Sequence, residues 1–206
     1  MEAVKTLIME NKVLFGILVA MIILTIFATV KANKAVKATN ERKKELIKKL
    51  DHLKMLRENY SEITKDSIIS DSGEFLLEGV ASNIQLNLEK SEDMNAEFEN
   101  LCEEKKLVYT ANYFLEDGIE KASNFFKEYS EPLTLYIEKA VKLFAGEEAS
   151  HLVGKLCEMY DEENEEVSYI EGEIEEIDKK LSELITAESF KQNAAEYIKN
   201  NCEMFV

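Results

Sequence analysis

The sequence has few residues that break helices, because its 206 residues include only one proline and seven glycines. An all-β domain needs many turns, and turns are rich in these two residues. Leu, Ile, Lys, Glu and Ala dominate instead, and all of them except Ile are good helix formers. The composition therefore argues against an all-β fold and predicts an all-α protein.

Cysteine and histidine are also scarce. The three cysteines, Cys102, Cys157 and Cys202, are far apart, odd in number and form no Cys-x-x-Cys pair. This argues against a disulfide framework and is typical of proteins in a reducing compartment. The two histidines, His52 and His151, are isolated, and a zinc site would need further ligands nearby. We therefore expect no metal site.

Short catalytic and nucleotide-binding motifs are missing as well. The sequence contains no phosphate-binding Gly-x-x-x-x-Gly-Lys loop, no Gly-x-Gly-x-x-Gly, no Gly-x-Ser-x-Gly and no His-Glu-x-x-His. We therefore predict that the chain is not an enzyme and binds no cofactor. The alternative is a hydrolase or metal-dependent enzyme whose site assembles from scattered acids, which the 41 acidic residues permit but do not indicate.

The net charge of −16 is unevenly distributed along the chain. Residues 1–57 carry a balance of +7, whereas residues 58–206 carry a balance of −23. Phosphates would be repelled by so acidic a segment. The charge therefore predicts that the main domain does not bind nucleic acid directly.

The longest apolar run, residues 13–30, reads VLFGILVAMIILTIFATV and contains 18 residues without a charge. A helix of that length is roughly 27 Å long, close to the hydrocarbon thickness of a bilayer. Its only polar side chains are Thr25 and Thr29, so it lacks the polar face of a core helix. The run predicts one transmembrane helix after an N-terminal flank, residues 1–12.

The charges on either side of this run predict its orientation. Two acids balance two bases before it, whereas eight basic residues follow it: Lys31, Lys34, Lys37, Arg42, Lys43, Lys44, Lys48 and Lys49. Because basic residues accumulate on the cytoplasmic side, we predict a single-pass protein of the cell membrane with a cytoplasmic C-terminal domain. The eight cations would also lie near anionic lipids, each contributing roughly 1 kcal/mol. A signal peptide cleaved near Ala28 or Ala32 is the alternative.

The rest of the chain contains two predicted segments. Residues 31–57 contain no glycine or proline and are expected to continue the membrane segment as a basic juxtamembrane helix. Residues 58–206 are expected to form a compact acidic all-α domain, whose aromatic stretch, residues 105–144, predicts core. A final helix is predicted over residues 188–200. The residues expected at helix starts or ends are Ser72, Ser91, Gly118, Ser130, Pro132 and Gly146.

Residues 158–178 carry 11 acids and no base, which predicts a solvated helix face. They do not form a calcium-binding loop, because Glu166 stands where a loop starting at Asp161 would require glycine. Apolar residues recur beside these acids with 3-4-3-4-3 spacing: Val167, Ile170, Ile174, Ile177, Leu181 and Leu184. This seam predicts packing on another helix of the domain or, in a homodimer, on a second subunit.

Residues 107–144 read LVYTANYFLEDGIEKASNFFKEYSEPLTLYIEKAVKLF, and residues 196–200 read EYIKN. Both segments resemble parts of the acidic all-α family of bacterial DNA-mimic proteins. The family's Asn-Gly-Gly turn before the paired Phe is replaced here by residues 119–122, IEKA. The resemblance implies an acidic helical surface that binds a basic protein partner, and no individual functional residue is carried over.

These features together predict a non-catalytic interaction module. A membrane helix anchors it to the bilayer, and its acidic helices bind a protein partner. The resemblance supplies a narrower alternative, in which the partner is a basic nucleic-acid-binding protein.

Overall fold

The computed structural model describes the backbone of residues 12–160 and 171–206. Side chains are described in these ranges except at positions 12–20, 22–30, 32–35, 38 and 171. The described residues form helices joined by short loops, and no strand occurs among them, which confirms the predicted all-α fold. The chain divides into two compact units between His52 and Leu53.

The helices of the described ranges vary from 6 to 48 residues in length. In chain order they are α1 (Lys12–Asn59), α2 (Lys65–Ser70), α3 (Leu76–Leu88), α4 (Met94–Asn100), α5 (Glu103–Tyr113), α6 (Ala122–Glu128), α7 (Ile137–Ala145), α8 (Glu147–Tyr160), α9 (Glu171–Leu184) and α10 (Ala187–Asn200). A π turn covers Phe114–Gly118, and two 3-10 turns cover Leu133–Leu135 and Cys202–Met204.

Helix α1 includes both predicted N-terminal segments, residues 13–30 and 31–57. Among the helices whose side chains are described, none has an apolar stretch long enough to cross a membrane. The predicted membrane segment, residues 13–30, lies outside those described side chains, except for Met21.

Two predicted helix caps, Ser91 and Ser72, are wrong, because each lies outside the helix that it was expected to cap. Asp93 caps α4 in place of Ser91, and its carboxylate accepts hydrogen bonds from two backbone N–H groups of the first turn. Asp and Ser compete closely as caps, and at α4 the residue nearer the helix prevails. Helix α3 begins at Leu76 after Phe75, which makes no side-chain cap bond, and Ser72 accepts a bond from the Glu74 backbone in the preceding turn.

The helix ends were predicted more successfully. Gly146 follows α7 with φ of +96°, a left-handed conformation that glycine adopts without the steric cost of a side chain. Gly118 ends the π turn rather than an α-helix.

Pro132 was expected in the first turn of an α-helix, with Ser130 as the cap. It instead precedes a separate 3-10 turn, and α7 begins only at Ile137.

The core of the unit after His52 is built largely from α3, α5, α7 and α10, which pack on one another. Phenylalanine rings fill much of it, with centroids 5.8 Å apart for Phe114 and Phe190 and 5.6 Å apart for Phe144 and Phe190. The prediction that the aromatic stretch supplies core is confirmed. The predicted final helix is α10, which buries Phe190, Ala194 and Ile198, while Tyr197 is half-buried.

A buried carboxylate from α9 holds the start of α6. Asp178 is only 6% exposed and accepts hydrogen bonds from the Ser123 backbone N–H at 2.8 Å and the Ser123 hydroxyl at 2.6 Å. Lys121 Nζ lies 4.0 Å from the same carboxylate. The prediction that the acids of residues 158–178 share a solvated face is therefore wrong at Asp178, because this one caps another helix.

The last turn of α1 docks on α3 in what we call the α1–α3 joint: Leu56, Tyr60, Asp71, Gly79 and Asn83. Leu56 is buried, and the Tyr60 ring lies directly on Gly79, where a Cβ would come closer than 3.0 Å to ring carbons. The Tyr60 hydroxyl donates to Asp71 at 2.7 Å, and the Asn83 amide donates to the Tyr60 carbonyl at 2.8 Å. The end of α1 is thus fixed by packing and by hydrogen bonds together.

Candidate functional site

A groove of about 230 Å³ opens between α3, α4 and the segment after α6. Its floor and walls are mainly aromatic or apolar, and two carboxylates lie at its rim. We call it the aromatic groove, and the residues that define it here are Phe98, Tyr109, Glu128, Tyr129, Glu131 and Pro132. It combines side chains from three helices and one loop.

Packed rings form the floor and one wall of the aromatic groove. Phe98 and Tyr109 are 3% and 6% exposed, and their ring centroids are 5.7 Å apart. Half-buried Tyr129 forms the wall. Its ring centroid lies 5.0 Å from that of Tyr113 and 5.2 Å from that of Phe125. Tilted and edge-to-face contacts of this kind restrict ring motion. The groove is therefore preformed.

The π turn after α5 positions Tyr129. The Tyr129 hydroxyl donates to the Asp117 carboxylate in that turn. Burial, with the hydrogen bond to Asp117 as a further cause, raises the pKa of Tyr129 above its usual range, so the phenol stays protonated and donates to the Asp117 carboxylate. Single π turns occur frequently at functional sites, and this one fixes the wall of the groove.

A hydrogen-bonded chain leads from the floor of the groove to α1. The Tyr109 hydroxyl donates to Gln85 Oε1, and Gln85 Nε2 donates to Glu89 at 3.0 Å. Glu89 also accepts from Arg57 Nη2 at 3.0 Å, which places Arg57 at the far end of the chain. Burial is the main cause of the raised pKa of Tyr109. The phenol therefore remains a donor at neutral pH and orients Gln85.

Beside the groove the protein already holds one of its own cations between rings. Lys106 is 8% exposed, and its Nζ donates to Glu99 and to the Tyr136 hydroxyl, both at 3.1 Å. The same nitrogen lies 5.1 Å from the Tyr136 ring centroid and 5.8 Å from that of Phe98. The hydrogen bond with Tyr136 raises the pKa of Lys106. Rings and one carboxylate therefore hold a charged lysine here.

The two rim carboxylates, Glu128 and Glu131, are exposed. In the described part of the chain neither forms a hydrogen bond or an ion pair, and no lysine or arginine is among the residues that line the groove. Glu128 also ends α6, where the helix dipole adds negative potential. The aromatic groove is therefore a negatively charged site with an apolar floor.

A larger groove of about 610 Å³ runs along α10 beside the turn at Gly73. Both lysines that line it are already engaged, since Lys191 binds Glu78 and Lys199 donates to the Asp71 carbonyl. Most of its lining residues are of polar or charged types, and none of them is aromatic. It therefore lacks the combination of rings and unpaired carboxylates that the aromatic groove has.

Metal ligands do not converge in the two described ranges, because no three His, Cys, Asp or Glu side chains there are close enough to hold an ion. His151 is exposed on α8. The aromatic groove contains two carboxylates but no histidine. Its carboxylates and rings are groups of the kinds that attract cations.

The eight predicted lipid-contacting residues all lie on α1. Lys34 has its side chain outside the described part. The other seven are exposed: Lys31, Lys37, Arg42, Lys43, Lys44, Lys48 and Lys49.

The described residues of the predicted seam differ in burial. Ile174, Ile177 and Leu181 are buried in the core of the same chain, where α9 packs on α6 and α8. Leu184 is 42% exposed at the end of the helix. The other two seam residues, Val167 and Ile170, lie outside the described residues. Half of the seam therefore packs internally.

The sequence did not reveal the groove, because its parts are remote from one another. Tyr109 was interpreted as core, which is correct for its buried edge but misses its role as floor, and Phe98 lies outside the aromatic stretch that the sequence singled out. One local signal was present in residues 128–132, which read EYSEP. Glu128 and Glu131 lie on either side of Tyr129 in the sequence, and Pro132 follows directly. Because proline favours turns, this segment indicates that the two carboxylates and the ring lie close together.

Comparison of the chain with protein-family models, with curated proteins and with solved structures finds no match. The resemblance of residues 107–144 to the DNA-mimic family therefore stays a prediction. The function must be argued from the chain's own charge, grooves and contacts.

Proposed function

We propose that this chain is a membrane-tethered, non-catalytic interaction module whose acidic helical domain binds a basic protein. The observation that carries the proposal is the aromatic groove, where Glu128 and Glu131 stand without cationic partners in the described chain beside the rings of Tyr109 and Tyr129. Aromatic faces and carboxylates are the two protein groups that attract side-chain cations. A basic polypeptide supplies such cations.

The charge of the domain supports the same partner. Residues 58–206 carry a balance of −23, and a field of one sign accelerates the approach of an oppositely charged protein while repelling nucleic acid. The resemblance of residues 107–144 to DNA-mimic proteins adds a specific candidate. On that ground the basic partner is a nucleic-acid-binding protein, which recognises the acidic helices in place of phosphates.

The tether rests on residues 13–30, whose 18 uncharged residues match the thickness of a bilayer. The exposed cations between Lys31 and Lys49 follow that run and favour a cytoplasmic domain in the cell membrane. The same cations would lie against anionic headgroups. In this arrangement the basic stretch of α1 faces lipid, and the acidic domain beyond it captures a partner near the membrane.

Binding is tested with the full chain purified in a non-ionic detergent. The probe is a fluorescein-labelled dodecapeptide, Ser-Gly-Arg repeated four times, and the uncharged counterpart with glutamine in place of arginine is the control. We expect anisotropy to show binding of the arginine peptide and not of the glutamine peptide, with Kd rising about tenfold or more between about 50 mM and about 300 mM NaCl. No binding of the arginine peptide at low salt would contradict the proposal.

Topology is tested with a thiol reagent that cannot cross membranes, applied to intact cells. Cys102 and Cys202 are the reporters, because both are partly exposed in the fold. We expect neither to react until the cells are lysed, when both react. Labelling in unbroken cells would place the domain outside and remove the cytoplasmic assignment.

A further inference from the structure

We propose that the aromatic groove accepts a single arginine side chain of the bound segment, with its guanidinium against the Tyr129 ring and paired with Glu128 and Glu131. This inference rests on the proposed function and specifies its site.

Size favours a side chain over a small molecule. The aromatic groove measures about 230 Å³, whereas pockets for small-molecule ligands are usually about 300–1,000 Å³. The groove is open to solvent on one side, so an extended chain can cross it and insert one residue. Its floor, Phe98 and Tyr109, is apolar and suits the methylene stem of a long cationic side chain.

The molecule contains a precedent at Phe98, a ring that also lines the groove. Lys106 lies over Phe98 and Tyr136 and donates to Glu99. Two rings and one carboxylate thus hold an internal cation, and Phe98 belongs both to that arrangement and to the aromatic groove. The groove repeats the ingredients, with Tyr109 and Tyr129 as further rings, but among its described lining residues it has no cation of its own.

Two features of the groove favour arginine over lysine. Glu128 ends α6, Glu131 follows three positions later, and both line the groove. A planar guanidinium with five donors can bond to both, whereas an ammonium is a compact point charge. Guanidinium is also more weakly hydrated and stacks on aromatic faces. The half-buried Tyr129 ring offers such a face.

The test compares two double variants of the full chain with equal charge. E128Q/E131Q removes the rim carboxylates, and E175Q/E183Q removes two exposed carboxylates of α9 that have no partner in the described residues and lie outside the groove. With the Ser-Gly-Arg dodecapeptide we expect Kd to rise about tenfold for E128Q/E131Q. We expect a change of less than about twofold for the control, which loses only long-range attraction.

Equal weakening by the two double variants would overturn the groove as the site while leaving the proposed function standing. Failure of the wild-type chain to bind the peptide would remove both. The folding of each variant is checked by its circular-dichroism melting curve. All four glutamates are exposed, so we expect the substitutions to leave the fold intact.

A second comparison examines the ring and the choice of cation. Y129F keeps the ring and loses only the hydrogen bond to Asp117, so we expect binding within about twofold of the wild type, whereas Y129L should weaken it about fivefold or more. The control Y197L changes a half-buried tyrosine outside the groove and should leave binding unchanged. A lysine dodecapeptide of equal charge should bind about fivefold more weakly. Equal affinity for the two peptides would overturn the assignment to arginine.

Discussion

Burial separates the three thiols of the chain by reactivity. Cys157 lies on α8, and burial, together with the nearby Glu138 charge, raises its pKa to about 12. The thiolate is the reactive form, so at pH 8 only a minute fraction of Cys157 is available for attack. All three cysteines are partly exposed, so the raised pKa of Cys157, rather than accessibility, distinguishes it from Cys102 and Cys202. Residue-scale chemistry thus distinguishes cysteines that the sequence presents as equivalent.

We predict that a disulfide reagent such as dithiobisnitrobenzoate, at about pH 8, modifies two thiols of the native protein quickly and Cys157 at least about tenfold more slowly. The C157S variant should retain both fast events and lose the slow one. In denaturant all three should react at one rate. A single fast phase of three thiols in the native protein would mean that Cys157 is more accessible than its burial indicates.

At the scale of elements, the α1–α3 joint depends on a glycine. A Cβ at position 79 would overlap the Tyr60 ring, so we predict that G79A destabilises the domain by about 1–3 kcal/mol through overpacking. In a Y60A background the ring is gone, and the same substitution should instead stabilise α3 by about 0.5–1 kcal/mol, because alanine is the better helix former.

This reversal of sign is measured by chemical denaturation of the wild type, both single variants and the double variant. The cycle isolates the contact between positions 60 and 79 from the helix propensity of alanine. A destabilisation by G79A that persists at the same size without the ring would show that the Tyr60 contact is not its cause.

The buried half of the seam leads to a prediction about α9. Ile174 and Ile177 are 5% and 7% exposed within one chain, so placing a carboxylate at either position would bury a charge without a partner. We predict that the I174D/I177D variant loses its cooperative melting transition, because each buried charge costs several kcal/mol.

L184D is the matched control, since Leu184 is 42% exposed. It should melt within a few degrees of the wild type. A I174D/I177D variant that stayed folded while sedimenting at half the mass of the wild type would instead assign the seam to a subunit interface.

The sequence was sufficient for features that depend on local pattern. The all-α fold follows from the scarcity of glycine and proline, and the last helix, expected over residues 188–200, is Ala187–Asn200. The burial of Asp178 was not predictable, because it lies among eleven acids and its partner Ser123 is 55 positions away. The aromatic groove was missed for the same reason, since its floor and rim come from separate helices.

At the scale of the whole molecule, the tyrosines make the free energy of unfolding depend on pH in the alkaline range. Burial is the first cause that raises the pKa values of Tyr60, Tyr109, Tyr113 and Tyr129 above their usual 10.0. In the unfolded chain these phenols lose their protons above about pH 10, while in the folded protein they keep them. The folded state then binds more protons, so its stability falls as pH rises.

We predict that the free energy of unfolding is flat up to about pH 9.5 and then decreases, with Tyr109 alone contributing about 1 kcal/mol by about pH 11. Denaturant titrations across this range, read by circular dichroism, give the free energy directly, and phenolate absorbance reports ionisation in parallel. Y109F should remove that share of the decrease. Ionisation of all eight tyrosines at the ordinary pH of free tyrosine, before any unfolding, would contradict the prediction.

The hydrogen bonds between Asp178 and Ser123 also have a consequence while the chain is being synthesised. Synthesis delivers α6 well before α9, so until α9 emerges the Ser123 donors bond to water, and the start of α6 lacks the carboxylate that fixes it. Docking of α9 therefore orders the start of α6 as well as α9 itself.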